Sequence, residues 1–271
     1  MKAYDFSYDN KNLSDFGFII CRFDSGGLDT ISNGAVITFN TIPVLNGAFH
    51  KLASATYEDC LETTIQICQT PCDGDIMEIS YAVFRELTRW LNRKEFLKFK
   101  ILDEDHIDLY YEAIINVSRI EIDGKLVGLE LEVRTNRPFS LKEPRIININ
   151  NTVANGMHSL NDTSCEEGYI YPYTEITIGN IDGIPENERN LKIYNAIEKR
   201  ETYIANCVTG EVITMDYPVI QSSISSHNIQ NDFNWTFFRV ANTYDNSRND
   251  LTISLPCSIK IKYSPIVKVG L

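Results

Sequence analysis

Alternating hydrophobic and polar positions between residues 96 and 133 form the clearest pattern in the chain. The alternation predicts a first strand over Phe96 to Ile101, a second over Leu109 to Ile120 and a third over Leu126 to Val133. Asp123 and Gly124 separate the last two strands, and this dipeptide suits a two-residue hairpin turn because both central residues need positive φ. The pattern therefore predicts a three-stranded antiparallel meander.

A helical pattern precedes the meander. Apolar residues recur at the spacing of one helix face, at Ile76, Ile79, Val83, Leu87, Trp90 and Leu91. Asp75 is predicted to cap the amino terminus of this helix, with Glu78 completing a capping box. Because one face of the helix is apolar, we expect that face to pack on the sheet.

Further strand-like runs over Phe16 to Phe23, Ala35 to Asn40 and Cys60 to Cys68 complete an α+β amino-terminal region. The segment from Pro43 to Tyr57 is rich in apolar residues yet too irregular for a predicted helix or strand, so a long loop is expected there. Asp24 to Gly34 contains three glycines and is interpreted as a plain loop, with a flexible hairpin as the alternative.

The texture of the chain changes after residue 138. Pro138, Pro144 and an asparagine-rich run over residues 148–155 predict a linker, and hence two domains, residues 1–138 and 139–271. Thr209 and Gly210 are predicted to form a hairpin turn in the second domain. Short strand patterns occur there at Glu175 to Ile178, Asn190 to Asn195, Thr202 to Val208, Glu211 to Met215, Val219 to Ile224, Leu251 to Leu255 and Ser258 to Tyr263. They favour a β-sandwich of the jelly-roll type.

The balance of charges limits the partners of the chain. A net charge of -12 argues against wrapping of nucleic acid, which needs clustered Lys and Arg. No stretch has the apolar character of a signal peptide or a membrane span, so the protein is expected to stay in the cytosol where it is made.

Of seven cysteines only Cys68 and Cys72 are close in sequence, so no zinc, other metal or cofactor is predicted. Free thiols used as small hydrophobes are expected at Cys21, Cys60, Cys68, Cys207 and Cys257.

The densest titratable cluster is the candidate for catalysis. It comprises Asp103, Glu104, Asp105, His106 and Asp108. Paired carboxylates serve as acid and base in glycosidases, and carboxylates also bind divalent cations. These residues lie together at a predicted strand turn, however, where charges are solvated and no apolar wall raises a carboxyl pKa. We therefore predict that the protein is not an enzyme.

Short motifs occur in order along the whole chain. In the first half they are Ile42-Pro43 with Asn46-Gly47 and the later Tyr57, Arg89-Trp90-Leu91, Leu97 to Asp103, Tyr110-Tyr111-x-Ala113 and Arg137-Pro138-Phe139. In the second half they are Thr209 to Ile213, Pro256 to Ile261 and Tyr263-Ser264-Pro265. In this order they resemble the distal tail protein family of long-tailed bacteriophages and phage-tail-like particles. Val44 departs from the pattern, since the family loop usually has its first glycine there.

This resemblance implies a structural virion protein at the tail tip, made in the cytoplasm of the bacterial host. Six copies of an amino-terminal ring-forming domain would continue the tail tube, contacting the tail tube protein on one side and a hub or spike protein on the other. A galectin-like carboxy-terminal β-sandwich would project outward and carry receptor-binding proteins or side structures. DNA would pass through the homohexameric ring only as cargo, since an acidic lumen does not retain it.

Two sets of residues are candidate contact surfaces. For subunit contacts we predict apolar and aromatic residues of the expected loop: Pro43, Val44, Leu45, Phe49, Leu52 and Tyr57. A ligand or partner surface is assigned to Trp235, Tyr171 and Tyr173. Alternating aromatic residues, as in Tyr169 to Tyr173 and Phe233 to Phe237, fall on one side of a strand and favour the core or a protein interface. The alternative function is a carbohydrate-binding module that adheres to the host surface, and it requires Trp235 to be exposed in a concave groove.

Overall fold

The chain divides into two compact units. The computed structural model describes residues 4–23, 36–70, 78–104 and 106–269. Unit 1 consists of Met1–Lys142 and Val267–Leu271, and unit 2 of Glu143–Ile266. Ser140–Lys142 belong to unit 1, so the division lies beyond the boundary at residues 138 and 139 drawn from the sequence. The segment from Asp24 to Gly34, interpreted as a loop, lies outside the described residues.

Unit 1 is built on one large antiparallel sheet. The strands of unit 1 are β1 (Phe6–Tyr8), β2 (Lys11–Asn12), β3 (Phe18–Cys21), β4 (Ile37–Val44), β5 (Phe49–Tyr57), β6 (Glu62–Gln69), β7 (Leu97–Ile101), β8 (Leu109–Ile122), β9 (Lys125–Thr135) and β10 (Ser140–Lys142). A 3-10 helix, Leu13–Phe16, and the helix α1, Tyr81–Leu91, complete the unit. The strands of the large sheet follow the order β2-β1-β7-β8-β9-β6-β3, while β4 and β5 form a separate two-stranded sheet.

The predicted meander is confirmed as β7, β8 and β9. Asp123 and Gly124 form the turn between β8 and β9 with φ of 52° and 74°. Positive φ at both positions is the geometry that this dipeptide favours. The three strands form the centre of the sheet and carry much of the face on which α1 packs.

Helix α1 begins later than the sequence pattern predicts. The predicted cap Asp75 lies outside the described residues, but Glu78 and Ile79 are not helical, so the capping box is wrong. The backbone N–H of Ile79 donates to the Leu126 carbonyl at 2.7 Å, which ties this buried residue to the sheet. The Ser80 hydroxyl then accepts from the Val83 N–H at 3.4 Å and caps the helix.

An aromatic cluster holds α1 on the sheet. The indole N–H of Trp90 donates to the Tyr8 carbonyl at 2.9 Å, and its ring stacks 4.4 Å from Phe16 and 6.0 Å from Phe6. Leu87 and Leu91 are fully buried beside it. The opposite face of the sheet is polar: Gln66 donates to Glu130, and Asn116 donates to Glu132, each at 3.2 Å. The sheet therefore has one apolar and one polar face, as the alternation predicts.

Unit 2 is a β-sandwich. Its strands are β11 (Arg145–Asn151), β12 (Gly156–Asn161), β13 (Gly168–Ile170), β14 (Tyr173–Ile178), β15 (Leu191–Asn195), β16 (Arg200–Ile204), β17 (Val212–Asp216), β18 (Val219–Ser222), β19 (Val240–Asn242), β20 (Arg248–Ile253) and β21 (Cys257–Tyr263). One sheet has the order β11-β21-β14-β17-β18 and the other β12-β20-β15-β16. A single apolar core contains residues of both sheets. A short helix, α2 (Ile229–Asp232), follows β18, and the chain returns to β10 as β22 (Ile266–Val267).

Two predictions for this unit are wrong. The asparagine-rich run is not a linker, because β11 pairs with β21 from Arg145 to Asn151. Ile147 and Ile149 alternate with the asparagines and pack on or within the core, so the run has the two-residue period of a strand. Thr209 and Gly210 do not close a hairpin, since β16 and β17 belong to different sheets. Gly210, with φ of 77°, turns the chain from one sheet to the other.

The position of the α1 cap gives a stability prediction. We expect Ser80→Ala to lower the free energy of unfolding of unit 1 by about 1 kcal/mol, because the Val83 N–H loses its acceptor. Glu78→Ala is the matched control and should change it by less than about 0.5 kcal/mol, since Glu78 is exposed and precedes the helix. Urea unfolding followed by circular dichroism measures both; an equal loss in the two variants would contradict the assigned cap.

Candidate interaction surfaces

The segment predicted to be a long loop is a β-hairpin. Strands β4 and β5 pair from Ile37 with Tyr57 to Val44 with Phe49, with one irregularity between Asn40 and Thr41. Leu45, Asn46 and Gly47 form its turn with φ of 52°, 56° and 86°. The prediction of a loop is wrong because neither strand shows a simple alternation. The apolar residues lie mainly on one face near the base of the hairpin and on the other face near its turn.

The hairpin exposes large apolar side chains along its length. Leu45 is 79% exposed, Phe49 56% and Leu52 54%. Pro43 is also exposed, whereas Val44 and Tyr57 are half-buried, the latter with its ring 6.4 Å from Phe139. Sequence reasoning missed Phe39 and Ile42, which are 64% and 57% exposed. Phe39 and Ile42 lie two and five residues beyond Ile37 in the same paired strand. Assignment of this strand from the sequence would have included both residues.

The strand register separates the two faces of the hairpin. Residues that pair directly share a face, which puts Ile37 with Tyr57, Phe39 with Ala55, and Thr41 with Leu52 on one face. The opposite face is polar near the base, where its paired residues are Thr38 with Thr56 and Asn40 with Ser54. Towards the turn this second face gains apolar residues at Ile42, Val44 and Phe49, although Lys51 pairs with Ile42. The hairpin is therefore amphipathic at its base and mixed near its tip.

Unit 2 presents a second surface, here named the aromatic strip: Tyr169, Tyr171, Tyr217 and Trp235 with Arg239. Tyr169 and Trp235 are each 58% exposed and Tyr217 is 55% exposed. The sequence predicts that the aromatic residues of Tyr169 to Tyr173 and of Phe233 to Phe237 alternate along one strand each, and both predictions are wrong. Strand β13 ends at Ile170 before β14 begins at Tyr173, and Trp235 lies outside any strand with φ of 56°.

Ring contacts connect the aromatic strip to the core. Tyr171 and Tyr217 stack at 4.2 Å, and Tyr217 meets the buried Phe237 edge-on at 5.3 Å. The Arg239 guanidinium lies 3.5 Å from the centre of the Tyr169 ring and 2.5 Å from the buried Glu198 carboxylate. Tyr173, predicted to share this surface, is half-buried instead, with its hydroxyl 3.4 Å from Glu175.

A buried polar cluster in unit 2 has residue types found in active sites. His227 Nδ1 lies 2.5 Å from Glu211 Oε1, and His227 Nε2 lies 3.3 Å from Asp232 Oδ2. The Ser222 hydroxyl donates to Glu211, again at 2.5 Å, rather than to the histidine. Both imidazole nitrogens thus face carboxylates, and the Ser222 hydroxyl is directed at Glu211 and not at the imidazole, so the three side chains do not form a Ser–His–carboxylate relay. The cluster fastens the segment before α2 to the start of β17.

The acidic cluster of unit 1 is a local turn. The Asp103 carboxylate accepts from the His106 backbone N–H at 2.8 Å and lies 2.7 Å from His106 Nδ1. Asp105 lies outside the described residues. Across the four described stretches of the chain, no group of three or more His, Cys, Asp or Glu side chains is arranged to hold a metal ion.

Family models match almost the entire chain. A model described as the phage tail protein N-terminal domain matches residues 1–137, and one described as the phage tail C-terminal domain matches residues 139–263. The chain belongs to the phage tail protein family. Among curated proteins no relative matches.

A solved structure shows that the fold of this tail protein is also found in a distal tail protein. The crystal structure of SPP1 Dit (gp 19.1), described as a paradigm of the hub adsorption apparatus in phages that infect Gram-positive bacteria, matches with a TM-score of 0.59. The match covers 97% of this chain and 99% of that chain at 12% sequence identity. The predicted fold class, mostly β with one prominent helix, and the resemblance to the distal tail family are confirmed. Within the described ranges, no helix of the tail protein is long and apolar enough to span a membrane.

Burial divides the cysteines of the tail protein. Cys207 and Cys257 are buried as predicted, while Cys21, Cys60 and Cys68 are half-buried. Desolvation is the largest cause that raises the pKa of the Cys207 and Cys257 thiols to about 12. Cys165, not predicted to be buried, is exposed. Cys72 lies outside the described residues.

These differences predict which thiols react. At pH 8 only about one in ten thousand of the Cys207 and Cys257 thiols is ionised, because a raised pKa keeps the neutral thiol. Iodoacetamide should therefore modify Cys165 faster than either buried thiol, by a factor of at least about ten. Peptide mass spectrometry of timed samples measures this order. Equal rates in the folded protein would contradict the burial of Cys207 and Cys257.

Proposed function

We propose that this chain is a distal tail protein that forms a homohexameric ring between the tail tube and the tail-tip hub. The observation that carries the proposal is the exposed apolar hairpin of β4 and β5. A two-stranded hairpin is marginally stable alone in water, and exposed apolar residues on it favour burial against another surface. Phe39 and Leu52 are the central residues of that contact, and Phe49 extends it on the opposite face beside the turn.

A ring supplies the surface that the hairpin needs. In a closed ring each copy presents the same arm to the next copy through a head-to-tail interface. Burying one large apolar side chain stabilises the contact by about 1.5–3 kcal/mol, so several such residues on each arm provide the driving force. Pro43, Val44, Leu45 and Tyr57 belong to the same hairpin and complete the proposed contact.

The charge of the chain fits passage of DNA as cargo. Six copies would carry six times the net charge of -12 on each chain. The polar face of the unit 1 sheet, which includes Glu130 and Glu132, offers a surface suited to a water-filled channel. An acidic channel repels phosphate and lets DNA slide without binding.

The two regions of the chain have separate roles in this proposal. Residues 1–138 form the ring and contact the tail tube protein on one side and the hub or spike protein on the other. Residues 139–271 form an outward, galectin-like domain that carries receptor-binding proteins or side structures. The protein has a structural and non-enzymatic role, is made in the host cytoplasm and is located at the tail tip in the virion.

A carbohydrate-binding module remains the second candidate function for the outer domain. The observation that favours it is the exposure of Trp235, which the alternation of aromatic residues had not predicted. Exposed, rigid aromatic rings stack on sugars as well as on protein side chains. The two functions differ in the ligand that Trp235 contacts.

Substitutions on the two faces of the hairpin test the arm. We expect Phe39→Asp and Leu52→Asp each to abolish the ring, because a charge placed in the apolar contact must be desolvated. Ser54→Asp is the matched control on the polar face of β5 and should leave the ring intact. Size-exclusion chromatography with light scattering measures assembly, and thermal unfolding measures the stability of the monomer.

The outcomes of this experiment are distinct. Loss of the ring in the two apolar variants with an unchanged melting temperature supports the arm. If Ser54→Asp disrupts assembly equally, the face assignment is wrong. If Phe39→Asp and Leu52→Asp leave the ring intact, the hairpin is not a subunit contact and the proposal fails.

A further inference from the structure

We propose that Cys21 and Cys68 form a disulfide that ties the edge strand β3 to β6 once the protein has left the reducing cytoplasm of its host. The timing rests on the proposed function, in which the protein is made inside the host and acts in the virion outside it, where disulfides persist. The bond itself depends only on unit 1. Cys21 ends β3, Cys68 lies within β6, and both are free thiols in the structure.

The strand register places the two thiols on one face of the sheet. Strands β3 and β6 are antiparallel, with Ile19 opposite Cys68 and Cys21 opposite Gln66. Residues that pair directly share a face, and so do residues two apart on one strand. Cys21 and Cys68 are therefore diagonal neighbours on the polar face of the sheet, the face on which Gln66 bonds Glu130.

The two cysteine side chains are in contact. The Cys21 thiol and the Cys68 side chain are hydrogen-bonded to each other. Diagonal neighbours in an antiparallel pair lie about 7 Å apart, at the long end of the Cα separations that a disulfide spans. Since β3 is the last strand in the order of the sheet and Cys21 is its last residue, a small movement of that strand end closes the gap.

The Phe23 ring partly covers this pair. The Phe23 N–H donates to Gln66 Oε1 at 3.0 Å, which holds the chain beyond β3 over β6. Gly128 of β9 lies opposite Cys68, and a Cβ on Gly128 would meet the Phe23 ring at 2.4 Å. The ring therefore occupies the space that glycine leaves beside Cys68. Both thiols remain half-buried, so a small oxidant reaches them.

The bond joins the two strands that flank the β4–β5 hairpin in the chain. Strand β3 ends at Cys21 before the hairpin, and β6 begins at Glu62 after it. A disulfide between the two strands closes a loop of roughly 50 residues that contains the whole hairpin, and such a bond stabilises mainly by restricting the unfolded chain. The disulfide therefore holds together the part of the sheet from which the proposed arm leaves.

The oxidant is a low-molecular-weight disulfide, for which oxidised glutathione is the probe. One cysteine thiolate attacks a sulfur of oxidised glutathione, breaks its S–S bond and releases a glutathione thiolate, which takes up the proton that the cysteine lost. The second cysteine thiolate then attacks the cysteine sulfur of the mixed disulfide, and the second glutathione leaves and takes up the second proton. Two cysteine thiols are thus oxidised to one disulfide, and one glutathione disulfide is reduced to two thiols.

Burial makes this exchange slow. Desolvation, followed by the hydrogen bond with Cys68, raises the pKa of the Cys21 thiol to about 12. The thiolate is the attacking species, so a raised pKa lowers the rate of exchange. We therefore expect the disulfide to form over hours rather than seconds in oxidised glutathione, and to be absent from protein kept in reduced glutathione.

The test uses the full-length protein, purified reduced and then incubated with oxidised glutathione. After free thiols are alkylated, trypsin should give the peptide of residues 12–22 linked to that of residues 52–85, and reduction should separate the two. The second peptide also contains Cys60 and Cys72. Cys60→Ser and Cys72→Ser are therefore the matched controls and should keep the link, whereas Cys21→Ser and Cys68→Ser should lose it.

A second measurement reports the effect of the bond on stability. We expect the melting temperature of the oxidised protein to exceed that of the reduced protein by about 5 °C. This difference should vanish in Cys21→Ser and Cys68→Ser and persist in Cys72→Ser. Melting temperatures of the reduced variants show that each one folds.

Each outcome decides the inference. No linked peptide after prolonged oxidation, a link that survives Cys68→Ser, a link between two chains on a non-reducing gel, or an unchanged melting temperature overturns it. A link within one chain that needs both Cys21 and Cys68 and raises the melting temperature supports it. Light scattering of the reduced protein tests the ring separately, since a hexamer without the linked peptide leaves the proposed function standing, and a linked monomer leaves only the bond.

Discussion

The apolar face of the β4–β5 hairpin is the constraint on which the interpretation of the molecule depends. Ile37, Phe39 and Leu52 share that face, and within the described part of the chain the two strands pair with no third strand. The large sheet of unit 1 has its own helix, α1, over its apolar face, so its core is complete within one chain. Among the described residues the hairpin has no equivalent cover, and the proposed contact with another copy would supply one.

The proposed function depends on exposed surfaces of this protein. The residues with catalytic chemistry are occupied by structural bonds: Asp103 closes a turn with His106, and Glu211 accepts from Ser222 while it faces His227. The exposed side chains with large contact area are instead aromatic and aliphatic, on the hairpin in unit 1 and on the aromatic strip in unit 2. Both units carry such a surface, and both are matched by phage tail family models.

The sequence predicts those elements in which one physical signal dominates. The alternation over residues 96–133 and the Asp123-Gly124 turn identify β7, β8 and β9, because each strand has one apolar and one polar face. The start of α1 could not be predicted, since Ile79 fits the helical spacing but donates its N–H to Leu126 of the sheet. Trp235 fits a strand alternation with Phe233 and Phe237, yet bonds from Asn234 to distant backbone groups hold it outside any strand. In both cases a long-range contact decides the local structure, and composition or spacing contains no information about it.

The measurement that tests the central claim most directly is the mass of the purified full-length protein in solution. Multi-angle light scattering over a range of concentrations should show a particle six times the 30.9 kDa chain, about 185 kDa, and negative-stain images should show closed rings with six-fold symmetry. A monomer that persists up to concentrations of about 100 µM would contradict the account, because an arm with this apolar face would then remain exposed to water without a partner.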